Sequence, residues 1–257
     1  MPPGSLIVVG TGIQLAVHLT PSARAAIEQA DELLHLVTDP VTRAWIATLN
    51  RNASSLGRFY APGRPRAETY AAMVEEILSR VRLGLRVCAA FYGHPGVFVA
   101  PSHEAIRRAR EEGFQATMQP GISAEDCLFA DLGIDPGEDG CQSYEATAFL
   151  VHEYSVEPSA LLVLWQVGVV GQLAAGPASS EGIPALVEHL QTYYPAEHEV
   201  IVYEASPYVV LPPIVRRTPL SEFTRLEIPP LATLVVPPRE KPRAAVTMLD
   251  RLGLPRP

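Results

Sequence analysis

An α/β fold in two lobes, the first carrying a mainly parallel sheet and the second a mixed one, is predicted by three observations. Short apolar runs alternate with helical patterns along most of the chain. Two loops rich in glycine and proline, Phe91-Tyr92-Gly93-His94-Pro95-Gly96-Val97-Phe98 and Pro120-Gly121-Ile122-Ser123-Ala124-Glu125-Asp126, each follow a strand-like run and precede a helical pattern, which is where an open α/β sheet presents its ligand loops. A turn-rich stretch at 132–140 then separates one set of strand signals from a second.

The elements follow in order. Ser5-Leu6-Ile7-Val8-Val9-Gly10 reads as a buried strand that breaks into Gly10-Thr11-Gly12, and Thr20-Pro21 supplies a helix cap and a first-turn proline. Strand-like runs recur at 32–37, 85–91, 116–118, 160–167, 199–203 and 231–236, and helical patterns at 21–30, 66–83, 102–112, 122–131 and 182–192. The lobes are expected to divide near the turn at 120, giving 1–119, 120–238 and a tail of 239–257. Proline, 25 residues in all, gathers after position 205 in segments such as Leu211-Pro212-Pro213, which favours antiparallel or edge-like strands in the second lobe. The tail holds a helical patch over 244–252 closed by Gly253.

Composition narrows the function. With 257 residues and 47% apolar content the chain can bury a substantial core. A formal net charge of -8 and the lack of a long basic run argue against nucleic-acid or anionic-membrane partners. Cys88, Cys127 and Cys141 are too widely spaced for a disulfide framework or a zinc site, so no metal is expected. No run reaches the roughly 18 to 20 apolar residues of a membrane span, and Met1-Pro2-Pro3 does not open like a signal peptide, so a soluble cytoplasmic protein is expected.

Gly10-Thr11-Gly12 lacks the third glycine of a dinucleotide fingerprint, since position 15 is Leu15. A sharper grouping is Tyr60, Arg66 and Tyr70. From Arg66 onward Tyr70, Met73, Ile77 and Val81 keep helical spacing, so Arg66 and Tyr70 share an inward face one turn apart. An inward arginine and tyrosine need polar partners. Tyr60, delivered by the loop that turns at Pro62-Gly63, can be one. Glu75-Glu76 and Arg107-Arg108 read as solvated helix faces.

The two glycine loops resemble those of the tetrapyrrole-methylase superfamily of S-adenosylmethionine-dependent methyltransferases. More narrowly, the segments 91–98 and 120–126, with Phe129-Ala130-Asp131-Leu132, resemble the borosin backbone N-methyltransferases, and the likeness runs from about residue 6 to 238. It implies S-adenosylmethionine as cofactor in a cleft between the lobes, with S-adenosylhomocysteine released. It also implies Tyr60, Arg66 and Tyr70 as the active-site Tyr-x5-Arg-x3-Tyr pattern. The cofactor contacts implied are Tyr92, His94, Val97, Phe98, Ser123, Ala124, Gln166, Tyr203 and Ala205. Either tyrosine can be the base, with Arg66 stabilising charge and the other phenol orienting the substrate.

His94 stands where ordinary tetrapyrrole methylases carry aspartate, and Ile13 falls in the place of their first-turn motif. Both departures lower the expectation of a porphyrinoid substrate. The resemblance implies methylation of peptide backbone amides, and because the chain ends soon after the matched region, a separate precursor peptide and a homodimeric enzyme are expected. The rival expectations are a small-molecule or tetrapyrrole methylase and an idle relative that binds S-adenosylmethionine or a peptide without turnover.

Overall fold

The computed structural model describes residues 4–37, 39–174 and 181–256. Met1-Pro2-Pro3 and the last residue of the tail, Pro257, lie outside them. In chain order the elements are β1 (Ser5–Gly10), α1 (Pro21–Gln29), β2 (Glu32–Leu36), α2 (Pro40–Leu49), β3 (Ala53–Ser55), α3 (Arg66–Arg82), β4 (Arg86–Phe91), α4 (Ala100–Glu111), β5 (Gln115–Met118), α5 (Ala124–Leu132), α6 (Pro136–Asp139), β6 (Cys141–Glu145), α7 (Ala146–Val151), β7 (Leu161–Trp165), α8 (Ile183–Leu190), β8 (Glu199–Glu204), β9 (Ile214–Pro219), β10 (Thr233–Val236) and α9 (Val246–Leu252).

The chain forms two compact units. The first comprises the described residues of Met1–Gly133 with Gln172–Pro177 and Ala205–Ile214. Its sheet has the order β3-β2-β4-β1-β5, and the pairs β1/β4, β1/β5, β2/β3 and β2/β4 are all parallel. Alternation of side chains divides β1, β2 and β4 between two buried faces, as a sheet covered on both sides requires. Leu6, Val8, Leu34, Val87, Ala89 and Phe91 pack with Met73, Ile77 and Val81 of α3 and Ala105 and Ala109 of α4. Val9, Leu33, Cys88 and Ala90 pack with Ala23 and Ile27 of α1 and Ile46 of α2. Each fully buried leucine or isoleucine contributes about 1.5–3 kcal/mol relative to its exposed state.

Helix starts are set locally. The Thr20 hydroxyl accepts from the Ala23 N–H ahead of Pro21, and Asp39 caps α2 ahead of Pro40 in the same way. Since every pair in this sheet is parallel, the segments that follow β1, β2, β3, β4 and β5 leave from one edge.

The second unit comprises Ile134–Gly171, the described residues of Ala178–Glu204, and Val215–Pro257. Its sheet runs β6-β7-β10-β8-β9. Strand β6 pairs parallel to β7, and β10 pairs antiparallel to both β7 and β8, so this sheet is mixed. Its core gathers Phe149, Leu162, Leu164, Leu186, Leu190, Val200, Val202, Phe223 and Leu234. Strand β9, which follows Pro212-Pro213, is an edge strand.

The observed division falls after Gly133, not at the turn near 120. A Cβ added to Gly121 would lie 3.1 Å from the Gly93 carbonyl oxygen and 3.2 Å from Gly10 Cα, so this turn is pressed onto the loops that follow β1 and β4. Ala205–Ile214 also returns to the first unit, where the Leu15 N–H donates to the Pro207 carbonyl at 2.9 Å. The tail opens on two bonds within the second unit, from the Arg239 N–H to Pro158 O and from its guanidinium to Tyr193 O. Its helix α9 ends on Gly253 in the left-handed conformation, with φ 67°. Among the described residues no helix is long and apolar enough to cross a membrane.

Candidate active site

Tyr60, Arg66 and Tyr70 all lie in the first unit, on the segment that leaves the shared edge after β3. A 3₁₀ turn over Leu56–Phe59 delivers Tyr60, whose N–H donates to the Gly57 carbonyl. The next four residues close a turn in which the Arg64 N–H bonds the Ala61 carbonyl at 3.1 Å. Gly63 there has φ +74° with open space around a would-be Cβ, so its dihedral, not crowding, asks for glycine. Helix α3 then begins at Arg66, whose N–H donates to Leu173 O.

A cation at the first position of a 17-residue helix opposes the helix dipole. Such local violations concentrate at functional positions. Arg66 and Tyr70 are half-buried, and Tyr70 packs at the margin of the core that contains Phe91.

The Tyr70 phenol and the Arg66 guanidinium both lie close enough to the Tyr60 phenol to act on it. Tyr60 keeps 41% of its surface open, yet desolvation is the largest influence on its phenol. Together with the influence of the nearby Tyr70 phenol it outweighs the opposing pull of Arg66 and pushes the phenol up to about 12. Burial, and not the guanidinium, sets the direction of that shift.

The loop after β4 holds four of the predicted cofactor residues, Tyr92, His94, Val97 and Phe98. His94 Nδ1 accepts the Gly96 N–H at 2.9 Å, which leaves Nε2 as the protonated nitrogen of the neutral ring. Phe98 is 48% exposed and has φ +53°. It is one of three non-glycine residues with positive φ among those described, the others being Ala16 and Gln166. Two of the three are thus predicted cofactor residues, and strain of about 1–3 kcal/mol per residue is characteristic of ligand clamps.

Sequence reasoning missed the residue that fastens this loop. Buried Ser102, in the first turn of α4, donates to the carbonyls of Pro95 and Val99. A serine two residues into a helix opened by Ala100-Pro101 was the available signal.

Ser123 and Ala124 open α5 as expected, but Ser123 is occupied. Its N–H and hydroxyl both donate to Asp126 Oδ2, at 2.7 and 2.8 Å, and its oxygen accepts the Asp126 N–H, which makes a reciprocal capping box. The Ala124 N–H, in the first turn, has no intrahelical acceptor and is the group left to meet a ligand.

Ala205 lies in the wall of a cavity of about 120 Å³ shared with Gln14, His18, Cys127, Asp131, Ser206 and Pro213. There burial lowers the His18 imidazole while Asp126 and Asp131 pull it up. Another cavity, of about 270 Å³, opens at the amino ends of β1, β4 and β5 beside Ser5, Arg86 and Gln115, at the opposite edge from these loops.

The remaining two predicted residues belong to the second unit. Gln166, with φ 59°, turns the chain out of β7, and Tyr203 is fully buried near the end of β8. Next to it Glu204 Oε2 is buried without a hydrogen-bond partner, and burial raises its carboxyl.

One surface assignment changes, that of Glu76, while Glu75 stays on an exposed face. Glu75 bonds Arg82 on its own helix and Arg108 on α4. Glu76, only 18% exposed in its side chain, pairs with Arg58 and Arg80. Arg107 stays on its own helix face with Glu104 and Glu111.

Comparison with known proteins bears on these loops. The family model described as Tetrapyrrole (Corrin/Porphyrin) Methylases matches residues 5–206. The methyltransferase/ribosomally synthesized cyclic peptide gymnopeptides precursor of Gymnopus fusipes is 40% identical over 98% of this chain and 61% of its own length. The corresponding omphalotin A precursor of Omphalotus olearius is 40% identical over 98% of this chain and 62% of its own. A type III borosin cyclic peptide precursor of Anomoporia bombycina is 42% identical over 98% of this chain and 30% of its own. The chain thus spans about three fifths or less of the length of these relatives. Among solved structures, the uroporphyrin-III-C-methyltransferase of Thermus thermophilus superposes with a TM-score of 0.65 at 20% identity, covering 99% of this chain and 98% of that one. Diphthine synthase does so at 0.59 and 17%, covering 93% and 92%.

Proposed function

Because the chain belongs to the tetrapyrrole methylase family, we propose that it is an S-adenosylmethionine-dependent methyltransferase acting on backbone amide nitrogens of a peptide. The observation that carries the proposal is the placement of Arg66 and Tyr70, in the first turns of α3, close enough to the Tyr60 phenol to act on it.

A peptide nitrogen is a poor nucleophile because its lone pair is delocalised into the carbonyl, so its proton must leave as the new bond forms. In this reading Tyr60, which holds its proton well above neutral pH, donates to the amide oxygen as imidate charge develops. Tyr70 takes the amide proton, a step that contributes roughly 10²–10⁴-fold in comparable enzymes. The Arg66 guanidinium stabilises the Tyr70 phenolate before transfer, and that phenolate becomes a neutral phenol as it accepts the proton and the nitrogen takes the methyl.

The residues present fit the cofactor. In the first unit Phe98 holds strained backbone, His94 offers an Nε2–H and Ala124 offers a first-turn amide. These, with Tyr92, Val97, Ser123 and Ala205 and, as the sequence resemblance implies, Gln166 and Tyr203, are the groups proposed to hold it. When bound, S-adenosylmethionine supplies an electrophilic methyl on a sulfonium, so the protein's task is alignment and proton removal.

The finer part of the proposal is that the peptide is a separate precursor chain and that the enzyme works as a homodimer. This carries forward what the sequence resemblance implies, whereas the relatives' names join methyltransferase and precursor in one protein.

The test is mass spectrometry of candidate precursor peptides after incubation with the chain and S-adenosylmethionine, with sedimentation of the enzyme alongside. Successive one-methyl increments on a peptide supplied in trans support the reading. A spectral change in an added porphyrinoid, or cofactor binding without product, overturns it.

A further inference from the structure

We infer that the Arg58–Glu76 ion pair is a clamp that positions Tyr60 against Tyr70. The inference rests on the proposed role of the two phenols and assigns the residues that set their geometry.

Tyr60 sits on a loop with little core of its own. Leu56 anchors the preceding turn in the core, but Tyr60 keeps 41% of its surface open, so its own packing restrains its phenol only in part. Arg58 supplies the restraint. Its guanidinium lies 4.9 Å from the centre of the Phe59 ring, donates to Ser55 O at 3.3 Å and meets Glu76 Oε1 at 2.7 Å.

Glu76 stands on α3, under two turns beyond Tyr70. One rigid helix therefore carries Arg66, Tyr70 and the anchor for the Tyr60 loop. The carboxylate is itself held from behind, since the same Oε1 accepts from Arg80 at 2.9 Å and Arg80 lies 3.4 Å from Glu32 on β2. Burial pushes the Glu76 carboxyl up, but Arg80 and Arg58 more than offset it, so the group is charged at working pH. On the far side of the loop Arg64 donates to Phe59 O at 3.3 Å.

An ion pair with Arg58 this exposed adds little to fold stability. Its consequence is geometric: displacement by about 1 Å can cost roughly a hundredfold in rate. Glu76 is a positioning residue, acting through Tyr60 without touching substrate.

The experiment measures kcat and KM for S-adenosylmethionine in the full chain, together with hydrogen exchange over residues 56–64 without substrate. Glu76→Gln and Arg58→Met should each lower kcat about tenfold with KM unchanged, and the double variant should be no worse than either single one. Arg58→Lys should recover most of the loss. Arg82→Met breaks ion pairs to Glu75 and Glu112 that do not reach the loop, and should leave kcat within about twofold.

Exchange at the Tyr60 amide should quicken in Glu76→Gln. Additive losses, a change in KM alone, or unchanged exchange at Tyr60 would overturn the clamp. If the unaltered chain transfers no methyl to peptide, the proposed function fails, and exchange at Tyr60 then decides the clamp alone.

Discussion

Gly10→Ala tests how the loops at the shared edge are packed. A Cβ at this position would lie 2.2 Å from the Gly93 carbonyl oxygen and 2.8 Å from Pro95 Cδ, so the loop after β4 must retreat by about 1 Å to approach ordinary contact distance. The Gly12 N–H bonds that same Gly93 oxygen at 3.2 Å, and the Gly93 N–H bonds Gly12 O at 3.0 Å. A retreat therefore weakens a bond of about 0.5–1.5 kcal/mol in addition to an overpacking cost of about 1–3 kcal/mol. The sum, about 2–4 kcal/mol, corresponds to a fall in melting temperature of roughly 5–15 °C for a chain of this size. Calorimetry should show that fall, and titration with S-adenosylmethionine should show weakened binding, because Pro95 begins the stretch that leads to Phe98. A melting temperature within about 1 °C of the parent would refute the claim that these backbones are in contact.

Three further outcomes follow from named groups. The Tyr60 phenol is raised above its unfolded value of about 10, so the folded chain holds that proton more tightly; the associated stability is whole below pH 10 or so and is lost as pH climbs through about 12. Urea midpoints of the parent and of Tyr60→Phe should therefore diverge differently across that window, and a constant gap would contradict the assignment. The three thiols should react with a soluble disulfide reagent in order of access: exposed Cys141 first, Cys127 slowly because burial and the charges of Asp131 and Asp126 push it up to about 11, and fully buried Cys88, pushed up to about 12, only on unfolding; labelling of Cys88 in the folded chain would count against the first-unit core. Ser102→Ala removes the donor to Pro95 O and Val99 O, which should cost about 1–2 kcal/mol and raise KM for the cofactor; an unchanged KM would show that the loop is fastened elsewhere.

Local signals were legible and long-range ones were not. Thr20-Pro21 marked the start of α1, and the helical spacing from Arg66 marked α3, because capping and periodicity are written within a few residues. The same kind of signal at Asp39-Pro40 opens α2, a helix absent from the sequence reading. Ala53–Ser55 is too short and polar to show as a strand, and β6 at the sheet edge lacks an apolar alternation.

The return of Ala205–Ile214 to the first unit was hidden for a different reason. The Tyr208 hydroxyl donates to Asp39 at 2.6 Å across 169 positions, and no local pattern encodes such a tie. At the candidate site the residue types of the Tyr60, Arg66 and Tyr70 group could be read from spacing. The direction of the Tyr60 shift, the self-satisfied cap at Ser123 and the bridging of Glu76 depend on burial and partners that only the folded chain supplies.

The central claim is that a pair of phenols beside Arg66 removes the proton of a peptide amide during methyl transfer. Its most direct test is tandem mass spectrometry that locates the added methyl group, comparing the parent chain with the Tyr60→Phe/Tyr70→Phe double variant on one peptide. The account predicts methyl on backbone nitrogen with the parent and a loss of at least about a hundredfold in the variant, while cofactor binding persists. Methyl found only on side chains, or undiminished transfer by the double variant, would contradict it.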